Sequence, residues 1–556
     1  MSENVSRPQT PIDQIAEAWV DTLVSLSPMT GTYIGRTEAN EFVGDYSPAG
    51  LAAYRAAAAA VIAQLDAAEP VDAVDHVTLA DLRGSLQLDI EIHDADLPLR
   101  DLNVIASPPQ EIRDAFDLVP TETAEDWAII ARRLARVPAA LAGYTETLRL
   151  GIEKGITPAK RQVIEVAEQS DRNGATDGFF PSYISAAGEA GAGVRAELEA
   201  GAEAAAAAYR DLATFLRDEL APVATEVDGV GREAYALFSR RFLGAEIDLD
   251  ETYEWGIQEL ARMVAEQETI AQEILPGATV QEAIAHLEQD PSMKLHGVDA
   301  LQKWMQETSD RAVAELGATQ FDIPEEIRTL ECMIAPTQEG GIYYTGPTDD
   351  FSRPGRMWWS VPQGVTEFDT WRELTTVYHE GVPGHHLQIG QAVYNRDQLN
   401  AWRRLLAGTS GHAEGWALYA ERLMDDLGYL STPADRLGML DGQRMRAARV
   451  VLDIGVHLGK QRPDGQGVWT AEYAFEFLAQ HVNMNDGFVR FEVNRYLGWP
   501  GQAPSYKVGQ RIWEQLRDDY RAQAGESFDI RDFHREALGL GGVGLDTLRD
   551  ALRAAE

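Results

Sequence analysis

Apolar side chains recur at helical spacing along almost the whole chain, and short breaks carrying glycine or proline separate one amphipathic stretch from the next. Ile15, Trp19, Val20 and Leu23 mark the first such helix. The alanine-rich runs Leu51–Ala68 and Val194–Leu220 are low in complexity, but they carry Tyr, Leu and Phe at helical intervals and read as packed helices rather than disordered tracts. A Gly/Ala loop at Ala187–Gly193, the Asp290-Pro291 pair and the run Gln461-Arg462-Pro463-Asp464-Gly465 are further breaks. No internal repeat indicates a solenoid. The expected architecture is mainly α, a large multi-helix body. A soft boundary divides a helical, groove-forming region (1–330) from a region of metal chemistry (331–556), with the two lobes interleaved.

One stretch departs from helix. Within Glu331–Gln363, the runs Gly340-Gly341-Ile342-Tyr343-Tyr344 and Met357-Trp358-Trp359-Ser360-Val361 are aromatic and β-branched and are flanked by Gly and Pro, so a small β-sheet is expected there. An exposed edge strand at this point can bind an extended peptide through main-chain hydrogen bonds, with Tyr344 and Trp359 lining side-chain pockets. The competing reading makes these aromatics part of the core.

The most chemically loaded segment follows, Thr375-Thr376-Val377-Tyr378-His379-Glu380-Gly381-Val382-Pro383-Gly384-His385-His386. Three of only 11 histidines fall within eight positions. Neutral imidazoles bind Zn²⁺ well, and a carboxylate beside the first ligand can take a proton from a metal-activated water. Trp371, Leu374 and Tyr378 recur at helical spacing, and Thr370 with Glu373 fits a capping box, so a helix carries His379 and Glu380 into the motif.

Pro383 lacks a backbone donor and clashes with the carbonyl four residues back, so the helix kinks or breaks before Gly384. The usual pair of histidines four residues apart is therefore absent, and the second ligand is His385 or His386. On an unbroken helix His386 lies about 20° off the His379 direction and roughly 10 Å further along, whereas His385 points to the other side. Helical phase favours His386; a local loop reverses the preference.

A zinc site with an open position needs a third protein ligand. After the break Gly408-Thr409-Ser410-Gly411, a new helix reads His412-Ala413-Glu414-Gly415-Trp416-Ala417-Leu418-Tyr419-Ala420-Glu421. Glu414 is the candidate ligand, because it opens that helix beside residues small enough to admit a neighbouring helix. Glu421, seven positions on, faces the same way and can accept from a ligand imidazole. Spacing alone does not separate either glutamate from a solvated helix face.

Two later groups are candidates to complete the site. Arg449, Asp453 and His457 follow one another at four-residue steps and share a helix face, so His457 can donate to an oxyanion or hold a carboxylate. Arg495-Tyr496, followed by Pro500-Gly501-Gln502-Ala503-Pro504-Ser505-Tyr506-Lys507, builds a fixed loop. Tyr506 can hydrogen-bond a tetrahedral intermediate there, and Lys507, Gln502 or Arg495 can anchor a carboxylate.

Composition narrows the partners. With 48 basic against 89 acidic side chains, a net charge of −41, the chain is a poor partner for nucleic acid or an anionic membrane surface. The single cysteine, Cys332, excludes an internal disulfide and a cysteine-based zinc site. Met1 to Pro8 show no leader pattern and no stretch reaches the ~18 apolar residues of a membrane span, so the expected location is cytoplasmic.

Together, His379-Glu380-x-x-Pro383-Gly384-His385-His386-x-Gln388, the Glu414 to Glu421 block and Pro500-Gly501-Gln502-Ala503-x-Ser505-Tyr506-Lys507 resemble the bacterial family called domain of unknown function 885. That family is similar to the helical zinc peptidases, the gluzincin-type enzymes that include thimet oligopeptidase, angiotensin-converting enzyme and the thermostable carboxypeptidases. The resemblance covers nearly the whole chain. It implies a helical body with a deep central groove, Zn²⁺ held by two histidines and Glu414, and hydrolysis of peptide bonds with Glu380 as general base and Tyr506 or His457 at the oxyanion. Two other functions share these features: a zinc-dependent hydrolase or lyase of a small amide or ester metabolite, and a non-catalytic helical binding protein with a decayed site.

Overall fold

A computed structural model of the chain describes residues 7–335 and 341–554. Gly340 of the expected strand and Met1 to Ser6 of the N-terminal stretch fall outside them. The molecule is mainly α, as the periodicity predicts. The first helix, α1 (Pro11–Leu26), shows how local chemistry sets an element. Thr10 and Asp13 form a reciprocal capping box, proline occupies the first turn, and Ala16, Trp19 and Val20 face inward. The alanine-rich runs are helices Pro48–Asp66 and Arg195–Phe215, the latter continued by a π-turn to Leu220.

Six helices carry or surround the histidine-rich segment: α2 (Leu249–Ile274), α3 (Thr370–Glu380), α4 (His385–Tyr394), α5 (Ser410–Asp426), α6 (Pro433–Leu458) and α7 (Ser505–Ala524). α6 is the axial element. It packs along α2, α3 and α7, and from Ala447 to His457 every residue is buried. A helix enclosed on all sides carries its polar side chains into the interior, where each must find a partner.

The strands form two small sheets. β1 (Lys294–His296) pairs antiparallel with β5 (Glu367–Asp369). β2 (Leu330–Ile334), β4 (Gly355–Trp359) and β3 (Ile342–Thr345) lie in the order β2-β4-β3, parallel and then antiparallel. β3 is an edge strand and packs against α3, so the expected sheet does sit beside the His379 helix. Trp359 is buried in the small core under this sheet, which is the core reading of that residue rather than a pocket wall.

Three apolar clusters account for most of the interior. One joins Leu102 through Ala224, a second joins Tyr235 through Leu552, and a third packs α1 and its neighbours against Ala401 and Trp402. The third cluster ties the start of the chain to the segment just before α5. No helix among the described residues is long and apolar enough to cross a membrane.

Candidate metal centre

α3 ends at Glu380 and α4 begins at His385, so the helix breaks where Pro383 requires it. The four intervening residues fold into a tight reversal in which the Gly384 amide donates to the Tyr378 carbonyl and the His386 amide to the Gly381 carbonyl. Only glycine fits at 384, because a Cβ there would overlap the His379 carbonyl oxygen. Gly384→Ala should therefore lower stability by roughly 1–3 kcal/mol, the range for overpacking, and should also loosen metal retention, because the reversal aims α4. Denaturant unfolding together with metal content after dialysis checks this; a variant with native stability and native metal content would contradict it.

The predicted capping box at Thr370 does not form. Asp369 is the N-cap, and the Thr370 hydroxyl instead donates to the Met293 carbonyl at 3.0 Å. A long-range acceptor has replaced the local one.

The reversal decides which histidine joins His379. His385 lies against His379, ring centroids 4.9 Å apart and planes nearly perpendicular. His386 points away. Its Nε2 donates to the Ile327 carbonyl at 2.7 Å, and its Nδ1 accepts from the Tyr344 hydroxyl at 2.9 Å. Burial drives His386 down to about 4, consistent with a neutral ring. Helical phase placed His386 on the His379 side; the structure instead groups His385 with His379, since phase does not carry through the reversal. Tyr344 supports His386 rather than lining a pocket.

Glu414 arrives from α5. Gly415 of α5 and Gly509 of α7 meet with their backbones in contact, a crossing that any larger side chain would block. This close approach sets the first turn of α5 beside α3 and α4. Glu414 Oε2 lies 3.3 Å from His379 Nε2 and 3.7 Å from His385 Nε2. One donor atom from each of the three residues falls within 4.8 Å of the others. Glu414 Oε2 is buried and accepts no hydrogen bond among the described residues. Three donor atoms brought this close suit a shared cation or a shared proton.

Electrostatics agree with this. Burial works against a charged imidazole at His379, yet Glu414 and Glu421 outweigh it and lift the group to about 10. The pocket therefore favours positive charge at its centre, whether a proton or a metal ion. Glu380, buried at the end of α3, is raised above the ordinary carboxylate range by desolvation, partly opposed by His385 and His379.

Behind His379 runs a chain of hydrogen bonds. His379 Nδ1 donates to Glu421 Oε1 at 2.7 Å, which turns Nε2 toward Glu414, where loss of its proton would free a lone pair for a cation. Gln443 Nε2 donates to Glu421 Oε2 at 2.9 Å, and Lys507 Nζ donates to Gln443 Oε1 at 2.7 Å. Glu421 thus fills its expected position. Gln443 was not singled out in the sequence, where only its place on a helix buried along most of its length marks it.

Several other candidates are engaged elsewhere. Lys507 is buried and ion-paired with Glu259 at 3.1 Å, so it supports the Glu421 chain rather than a substrate carboxylate. Arg449 pairs with Glu492 and donates to the Tyr496 hydroxyl, and Arg495 pairs with Glu492 and donates to Gln502. Asp453 accepts from the Tyr235 hydroxyl and the Gly501 amide. His457 donates from Nε2 to the Tyr496 carbonyl and accepts at Nδ1 from the Val230 amide. Arg449, Asp453 and His457 share a helix face, and His457 Nε2 comes within 3.9 Å of Asp453 Oδ1, but this is beyond hydrogen-bond reach and both nitrogens of His457 are bonded elsewhere. Tyr506 is the member of this group that feels Glu414: burial raises its phenol and the Glu414 carboxylate raises it further, opposed by Arg449, Arg495 and Arg446.

Comparison with known proteins shows which group the chain falls in. The family model described as "Bacterial protein of unknown function (DUF885)" matches residues 28–552. No curated protein matches. Among solved structures, one described as a "putative lipoprotein" from Colwellia psychrerythraea superposes with a TM-score of 0.81 at 21% identity, covering 98% of each chain. Another, from Shewanella oneidensis and described as a "putative lipoprotein of unknown function", gives 0.75 at 18% identity, covering 98% of this chain and 100% of that one. At these identities the likeness concerns the fold, and the chain belongs to the family of bacterial proteins called domain of unknown function 885.

Proposed function

We propose that the protein is a zinc-dependent peptidase whose metal is held by His379, His385 and Glu414 and whose general base is Glu380. The observation that carries this reading is the convergence of His379 Nε2, His385 Nε2 and Glu414 Oε2. Tetrahedral zinc with bonds of about 2.0–2.2 Å separates its ligand atoms by roughly 3.3–3.6 Å, and the two distances to Glu414 are 3.3 and 3.7 Å. The donor set, two imidazoles and a carboxylate, is that of a catalytic rather than a closed structural site. Zinc bound there would acidify a water and polarise a carbonyl.

The chain's own groups do the rest. Glu380 takes a proton from the attacking water and delivers it to the departing amide nitrogen, so that hydroxyl adds to the carbonyl carbon as the C–N bond breaks. Its raised proton affinity suits both halves of that transfer. Tyr506, kept protonated by burial and by Glu414, donates to the developing oxyanion. Glu421, held by Gln443, keeps the His379 ring oriented. Edge strand β3, packed on α3, offers main-chain groups to an extended peptide. The resemblance of the motifs to the helical zinc peptidases supports the same reading.

Metal analysis of the purified protein, coupled to a peptide-library cleavage screen read by mass spectrometry, tests the proposal. One equivalent of zinc should be retained, and cleavage should stop with a zinc chelator and return when zinc is restored. Absence of tightly held metal would refute it. Retained zinc with turnover only of small amides or esters would transfer the same centre to the metabolite-hydrolase reading.

A further inference from the structure

The side chains that α6 sends toward the centre come at three-residue steps, Gln443, Arg446 and Arg449, which are neighbours on a helix surface. The outer two are engaged. Gln443 donates to Glu421, and the Arg449 guanidinium lies 5.1 Å over the Tyr506 ring while paired with Glu492. Arg446 stands between them, and its charge acts on Glu380, Glu421 and Tyr506.

Arg446 nevertheless has no hydrogen bond or ion pair among the described residues, and its Nε is buried without a partner. The other cations around it are matched: Arg449 and Arg495 by Glu492, Lys507 by Glu259. In a chain with 89 acidic and 48 basic side chains, a half-buried guanidinium that makes no hydrogen bond beside this cluster keeps its fork free for an incoming anion. Gly442, one turn earlier, leaves it room, because a Cβ there would sit 2.6 Å from Arg446 Nη1.

We infer that Arg446 receives the free carboxylate of the substrate, so that the centre cleaves peptides or acyl-amino acids next to their C-terminal end. This rests on the hydrolase reading and narrows its substrate class. A planar guanidinium fork matches a carboxylate in two parallel hydrogen bonds. The neighbouring carboxylates of Glu380, Glu414 and Glu421 favour a monoanion at that spot over a more highly charged phosphate.

The test uses the full chain with zinc added and with Glu380→Gln, so that probes are bound but not consumed. Acetyl-alanyl-alanyl-leucine is titrated by calorimetry as the free acid and as its C-terminal amide. The acid should bind roughly tenfold or more tightly than the amide, the worth of one charge-assisted contact. Adding Arg446→Gln should erase that preference while leaving the affinity for the amide unchanged, and Arg446→Lys should restore part of it. Equal affinity for acid and amide, a preference that survives Arg446→Gln, or no binding of either probe at millimolar concentration would each overturn the assignment. The acid-to-amide comparison needs no change at Arg446, so it stands even if those variants misfold. Failure of the hydrolase reading shows differently, as an unmodified chain that binds the acid selectively and never cleaves it.

Discussion

Replacing His385 by alanine should strip the protein of tightly held metal, whereas the same change at adjacent His386 should leave one equivalent bound. The two residues differ in what their nitrogens touch. His385 Nε2 faces Glu414 at 3.7 Å and its Nδ1 has no hydrogen-bond partner among the described residues, so the ring is free to coordinate. Both nitrogens of His386 are taken, one by the Ile327 carbonyl and one by the Tyr344 hydroxyl. Losing a supporting partner behind a ligand costs 10- to 100-fold in metal affinity, and losing the ligand itself should exceed about 100-fold. His386→Ala should instead cost stability, about 1–3 kcal/mol for each buried partner left unsatisfied. Metal content by mass spectrometry after dialysis, beside urea unfolding of both variants, separates the two. A metal-free His386→Ala protein that unfolds at the native midpoint would reverse the assignment.

Pro383 shows how far a single sequence reaches. It forecasts the end of α3 before Gly384, and the helix does stop at Glu380 and restart at His385. What it does not encode is the direction of the restarted helix, because extending the phase of α3 across a reversal is not a physical operation. The opposite case is Glu414 and Glu421. Seven residues apart on one uninterrupted helix, they face the same way, and both reach His379. Shared facing was equally legible for Arg449, Asp453 and His457, but not what each would meet. Their partners, Glu492, Tyr235 and the Tyr496 carbonyl, come from other helices, and periodicity contains no record of which helices pack together. Arg446 is the same lesson inverted. Its role rests on what is missing around it, and only a packed structure shows a missing partner.

Glu380→Gln should leave metal content and fold intact while lowering turnover by roughly 10²- to 10⁴-fold, the span that general acid–base catalysis supplies. The amide of glutamine keeps the shape of the carboxyl group but cannot accept the proton that the attacking water must lose. None of the three converging donor atoms belongs to Glu380, so metal should bind the variant as it binds the parent. Removing a buried carboxylate whose charged form is opposed by desolvation should also cost the fold little, and it can gain stability above the pH at which that carboxyl ionises. The sign follows from linkage. A carboxyl raised in the folded state destabilises the fold at pH values where the unfolded chain would be ionised, and a neutral glutamine removes that penalty. Activity, zinc content and unfolding free energy measured on one preparation test all three statements. Undiminished hydrolysis in a variant that holds its metal would remove Glu380 from the mechanism, and lost metal would mean that the residue coordinates rather than accepts protons.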